Sequence, residues 1–189
     1  MQYQDVLEFW FAPQEPDVFQ YRPQWFVKNK NFDDEIRSKF LSLHQELRNG
    51  RHQYWLDHAE GVLATVVVLD QFSRNMFRDQ PESFAGDAQA LHLTKKAILD
   101  ETDLKLHPVQ RWFLYLPLEH SENIRDQDIS VEIFADLQAL IPGSNILEYA
   151  ERHHDVIARF GRFPHRNRIL GRESTPEEIE FLKQPGSSF

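Results

Sequence analysis

The feature that most constrains this chain is the stretch Val62-Leu63-Ala64-Thr65-Val66-Val67-Val68-Leu69, which runs directly into Asp70-Gln71-Phe72-Ser73-Arg74-Asn75. A helix that is apolar on every side has to sit inside other structure. The valines also suit a strand. Yet the helical pattern continues over residues 58–77, too long for an ordinary strand, and no partner strand is apparent elsewhere. We therefore predict a central, buried helix over 58–77, wrapped by other helices.

The surroundings carry that pattern. Residues 5–11 predict a short helix, and Pro13, Pro16 and Pro23 keep 12–24 irregular. Trp25 and Phe26 are expected core anchors. Residues 32–49 place Phe32, Ile36, Phe40, Leu43 and Leu47 at helical spacing, with Gly50 as the stop. Further helices are predicted at 86–100, with Ala88, Leu91, Ala97 and Ile98 inward, and at 108–116, begun by Pro108 and broken at Pro117. Another spans 128–141, with Ile129, Ile133, Leu137 and Leu140 on one stripe, before a Pro142-Gly143 turn. The last two span 145–161 and 176–183, the latter with Thr175 as cap, Pro176 at its first position and Glu178 closing a capping box. The expectation is one all-α domain over 1–189. It would hold about eight helices in antiparallel αα-hairpins, as a tetratricopeptide-like superhelix or an irregular bundle.

Composition narrows the function classes. A chain of 189 residues with 41% hydrophobic content can bury a real core. It has no cysteine, which excludes disulfides and thiolate metal sites. No His-Glu-x-x-His occurs, and no metal or cofactor is expected. Apolar runs fall short of the ~18 residues of a membrane span. The start carries no cationic leader, so a cytoplasmic location is expected. A net charge of −9 opposes non-specific binding to nucleic acid.

Four polar motifs stand against this helical background. Asp70 and Arg74 are spaced to pair along one helix, with Asn75 beside them, just where the buried run ends. Glu119 and His120 follow Pro117, which is expected to break the helix and present them. Projection of 145–161 at ~100° per residue places His153 within the apolar face and His154 at its edge. A buried imidazole needs partners, so His153 is either a satisfied core residue or a pocket residue. Finally, residues 159–172 hold five arginines (159, 162, 166, 168 and 172) and His165, with no acid. Arginine forks bind carboxylate or phosphate. They equally neutralise acids on neighbouring helices, and the chain has 30 Asp and Glu to offer.

These motifs, with Phe9-Trp10-Phe11, Trp25-Phe26, Leu116-Pro117-Leu118-Glu119-His120-Ser121-Glu122, Phe160-Gly161-Arg162-Phe163-Pro164-His165-Arg166-Asn167, Leu170-Gly171-Arg172 and Ser174-Thr175-Pro176-Glu177-Glu178, resemble the bacterial family named domain of unknown function 924. The resemblance covers nearly the whole chain and departs from the usual pattern at Ser73, where the family has Pro. It implies an all-α, tetratricopeptide-like fold and no particular activity.

Residue chemistry supplies the functional expectation. A pocket built from Asp70, Arg74, Asn75, Glu119, His120, His153, Arg162, His165, Arg166 and Asn167 would take a small anionic ligand, a phosphate or carboxylate. Arg74 and Arg166 would clamp it. His120 or His165 would serve as general acid or base, with Asp70 or Glu119 orienting the histidine. The alternatives are a peptide- or protein-binding scaffold and, more weakly, RNA binding through the Arg and Phe segment. A fourth reading makes the motifs purely structural.

Overall fold

The computed structural model describes residues 1–11 and 22–188, and among these there is no strand. The helices are α1 (Tyr3–Phe11), α2 (Lys30–Arg48), α3 (Ala59–Val67), α4 (Ser73–Met76), α5 (Asp87–Leu99), α6 (Pro108–Glu119), α7 (Ile124–Gln138), α8 (Ile146–Phe160) and α9 (Pro176–Phe181). The fold is all-α. Of the stretch 12–24 expected to be irregular, 12–21 lies outside the described residues.

The apolar run is central, as its composition requires. Leu63, Ala64, Val66, Val67, Val68 and Leu69 are wholly buried. α3 packs against α1, α5 and α6 at once. Between α3 and α4 the helix takes one wide π-turn, Val68–Phe72. Two neighbours seize the loosened Leu69 carbonyl there. Ser73 Oγ donates to it at 2.7 Å, and Gly86 approaches so closely that a Cβ would stand 2.2 Å from its oxygen. Ser73 Oγ, having spent its proton, accepts from Nε2–H of the buried His44 at 2.8 Å. α6, α7 and α8 follow as successively packed neighbours on the other side.

Several expectations need correction. Phe26 is 46% exposed, because it lies over the core aromatics Trp112 and Phe113 instead of among them. In α5 the inward residues are Ala90, Leu93, Thr94 and Ala97, whereas Ala88 is exposed; Thr94 can face inward because its hydroxyl donates to the Leu114 carbonyl at 2.7 Å. In α7 the stripe is rotated. Ile129 and Leu140 are exposed while Gln127, Ser130, Phe134 and Leu137 are buried. The cause is Gln127, whose Nε2 donates to the Glu119 and Ser121 carbonyls that α6 leaves open at its end. α6 also runs through Pro117 to Glu119. A proline in the last turn removes one backbone donor, and the bond from His120 N–H to the Leu116 carbonyl closes the helix beyond it.

Candidate functional site

Three elements converge on one polar cluster in the core. The π-turn carries Asp70, the end of α6 carries Glu119 and His120, and the middle of α8 carries His153. Asp70 is wholly buried. Its Oδ1 lies 2.8 Å from His120 Nδ1 and 3.0 Å from Arg74 Nη1, and its Oδ2 accepts from Gln71 at 2.6 Å. Burial alone would raise the Asp70 pKa; the charge of Arg74, with the hydrogen bonds from His120 and Gln71, outweighs it and holds the carboxyl below the usual carboxylate range. An ionised carboxylate can only accept, so His120 donates from Nδ1 and its Nε2 is the basic nitrogen. Burial, reinforced by the Arg74 charge, keeps His120 neutral to lower pH than a free imidazole. No described residue bonds Nε2.

Glu119 behaves in the opposite sense. Burial, and then the neighbouring Asp70 charge, push it up to about 8. It is a protonated acid at neutral pH. Its Oε1 lies 3.2 Å from His153 Nδ1, and its Oε2 has no partner. His153 donates from Nδ1 to the Tyr149 carbonyl at 2.8 Å, and burial holds it well below the ordinary histidine value. Glu119, His120 and His153 line a cavity of about 660 Å³. Phe26, Trp112, Leu116 and Ile146 supply its apolar wall, and Asn145, Tyr149 and Arg152 complete the polar side. The volume falls in the usual range for small-molecule sites, roughly 300–1,000 Å³.

The remaining candidates fall into two other places. Arg74 forks onto both oxygens of Asp87, at 3.0 and 3.1 Å. Arg166 reaches the same carboxylate at 3.4 Å and is sandwiched between the Phe84 and Phe163 rings, 4.7 and 4.5 Å from their centres. Burial lowers its pKa to about 10, so it stays charged. The two arginines therefore converge on Asp87, an acid of the protein. Neither lines the cavity. His165 stands against Phe163, held neutral by burial and by the Arg166 charge down to about 3. It too lies off the cavity wall. Asn75 points elsewhere, donating to Asp33 at 2.7 Å.

Arg162 and Asn167 belong to a separate brace. Arg162 Nε and Nη2 grip the two oxygens of Glu178, at 2.7 and 2.8 Å. Asn167 donates to Glu178 at 3.2 Å and accepts from Arg172 Nε at 2.9 Å. Arg172 forks onto Glu122, which also takes the Phe163 N–H at 2.8 Å. With Arg159 paired to Glu177, the run of arginines is largely neutralised by acids from other segments. Sequence reasoning missed Asp87, Trp112, Tyr149 and Arg152. Asp87 carried one signal, its place at the start of a predicted helix. Arg152 carried none, since it precedes His153 by one residue and so lies off the apolar face on which the projection placed that histidine.

Among the described residues no group of three or more His, Asp or Glu is placed to hold a metal ion, and no helix is long and apolar enough to cross a membrane.

A family model described as bacterial protein of unknown function (DUF924) matches residues 6–186. The chain belongs to this family. It is similar to a solved protein of unknown function from Agrobacterium tumefaciens, 35% identical over 96% of each chain, with a TM-score of 0.86. No functionally curated protein matches. The matched span includes Asp70, Glu119, His120 and His153.

Proposed function

We propose that the cavity binds a small carboxylate or phosphate compound and that Glu119 and His120 move protons on it. One observation carries the reading. Two adjacent side chains face the same cavity with their proton affinities driven apart, a carboxyl kept protonated and an imidazole kept free. Such separation marks acid and base assignments in enzymes. Asp70 is a positioning residue: its bond to Nδ1 leaves Nε2 as the base. Glu119 Oε2 is the acid, buried without a protein partner. The clamp expected of Arg74 and Arg166 has less support, because both are committed to Asp87. Arg152 is the cation on the cavity wall.

The peptide-scaffold reading relied on Arg162 and Arg166. The first grips Glu178 and the second is sealed between two rings, which leaves that reading little to use. The arginines of the RNA reading are similarly paired.

The test is a thermal-shift screen of small carboxylates and phosphates, followed by affinity measurements on His120→Ala and Glu119→Gln. We expect wild-type binders whose affinity drops about tenfold or more in each variant while circular dichroism stays helical, the loss of one charge-assisted bond being worth roughly 1.5–3 kcal/mol. Binders unaffected by both substitutions, or no binder at all, would sink the proposal.

A further inference from the structure

Three elements hold the dipeptide Glu119-His120, each at a different point. The π-turn holds the imidazole, through Asp70 Oδ1 at 2.8 Å. α8 meets the carboxyl, with His153 Nδ1 3.2 Å from Oε1. α7 holds the backbone. Gln127, wholly buried, donates from Nε2 to the Glu119 carbonyl at 2.8 Å and to the Ser121 carbonyl at 2.7 Å. Those two residues flank His120 in the chain. One amide therefore fixes the stretch of backbone from which both side chains leave.

The end of α6 needs such a hold. Pro117 has removed a backbone donor from its last turn. The N–H groups of His120 and Ser121 turn back to the Leu116 and Leu118 carbonyls, which leaves the carbonyls of 119 and 121 to find partners elsewhere. Open carbonyls at a helix end are commonly met by water. Here a side chain from a neighbouring helix meets them and leaves its other end idle, because Gln127 Oε1 is buried without a partner among the described residues. Only the NH2 end of an amide can donate to two carbonyls, so they also fix which way the amide faces.

We propose that Gln127 is the positioning residue of the Glu119–His120 pair: it sets the backbone from which both side chains reach the cavity, and so keeps each in place against Asp70 and His153. This role rests on reading the cavity as an acid–base site, and it adds to that site a residue that touches no ligand. The charged and titratable groups that face His120 are Asp70, Arg74, Asp87, His153 and His165, and those that face Glu119 are Asp70 and His153. None of these lies on α7. Exchange of Gln127 for another uncharged residue leaves the charges around the pair as they were, so a changed titration reports a changed place.

Gln127→Met keeps the bulk and removes both bonds; Gln127→Asn keeps the amide and shortens its reach. Thr94→Val is the control, since Thr94 is also wholly buried and donates to a carbonyl earlier in the same helix, that of Leu114, at 2.7 Å. The His120 ring and the Glu119 carboxyl are titrated by NMR in each protein, and unfolding is followed by circular dichroism. All three variants are expected to unfold at lower temperature. In the Gln127 variants the proton affinity of Glu119 should fall about tenfold and that of His120 rise about tenfold, as water reaches a loosened turn. In Thr94→Val neither should move. Wild-type titrations in Gln127→Met or, where that variant does not fold, in Gln127→Asn overturn the proposal. Equal shifts in Thr94→Val overturn it too, by showing that any loosening of α6 has the same effect. The acid–base reading fails separately, if Glu119 titrates as an ordinary carboxylate in the wild-type protein.

Discussion

Two polar networks of similar size both touch Phe163, one through His153 and the other through Glu122 and Arg172, and they are built on opposite rules. In the brace that joins Glu122, Arg162, Asn167, Arg172 and Glu178, each acid meets an arginine fork and Asn167 bonds on both its sides. Its acids are held ionised: the Arg162 bond keeps Glu178 down at about 2. In the cavity cluster, Glu119 is held neutral and retains an oxygen without a partner. Full pairing is what a framework needs, because a buried charge left alone is costly. Leftover capacity beside a cavity costs stability, and on that ground we propose the cluster, and not the brace, as the site.

The comparison breaks most violently at Asp70, the one residue of the cluster built like the brace. Asp70→Ala strips Arg74 and His120 of a buried partner and should cost about 3–5 kcal/mol in urea unfolding. A loss under about 1 kcal/mol would mean the cluster is not held together by that charge.

Glu119 sharpens the contrast through pH. Its folded pKa of about 8 stands above the ordinary value of 4.5. Below pH 4.5 both folded and unfolded forms carry the proton, and there is no effect. Between 4.5 and 8 the unfolded chain releases it while the folded chain keeps it, so stability falls as pH rises and levels off above 8. Glu119→Gln should flatten that slope and gain on the order of 4 kcal/mol at pH 8 relative to wild type. Parallel pH profiles for the two proteins would show that Glu119 is ionised like any surface acid.

The smallest effect is expected from the brace. Arg172→Ala leaves Glu122 half-buried, with the Phe163 N–H still bonded to it, and should cost about 1–2 kcal/mol. Titration of His120 followed by NMR should not move. A shifted His120 would join the two networks into one.

Much of the fold was legible because helical periodicity reports burial directly. The run 62–69 announced the central helix, Thr175 and Glu178 formed their box, and His153 was placed inside from projection alone. Reading failed where polar residues face inward. The sequence pattern ranked Ile129 above Gln127, but Gln127 is the residue that satisfies two carbonyls at the end of α6. The site was half legible for the same kind of reason. Asp70, Glu119, His120 and His153 were all named, yet the acid that occupies Arg74 and Arg166 lies 13 and 79 residues away in the chain, and periodicity carries no information about such pairs. The arginine run drew attention by its local charge, and most of that charge proves to be matched across space.

The π-turn at Val68–Phe72 has a consequence for how such a protein can change over generations. A wide turn holds one residue more than the helix around it requires. Loss of a single codon there would wind the turn tight and rotate everything beyond it by roughly 100° about the helix axis. Leu63 to Val67 would keep their neighbours, while the carboxylate now facing His120 would swing to another flank. Heredity can thus move this cluster in or out of register in one step while the hydrophobic half of the same helix stays as it was.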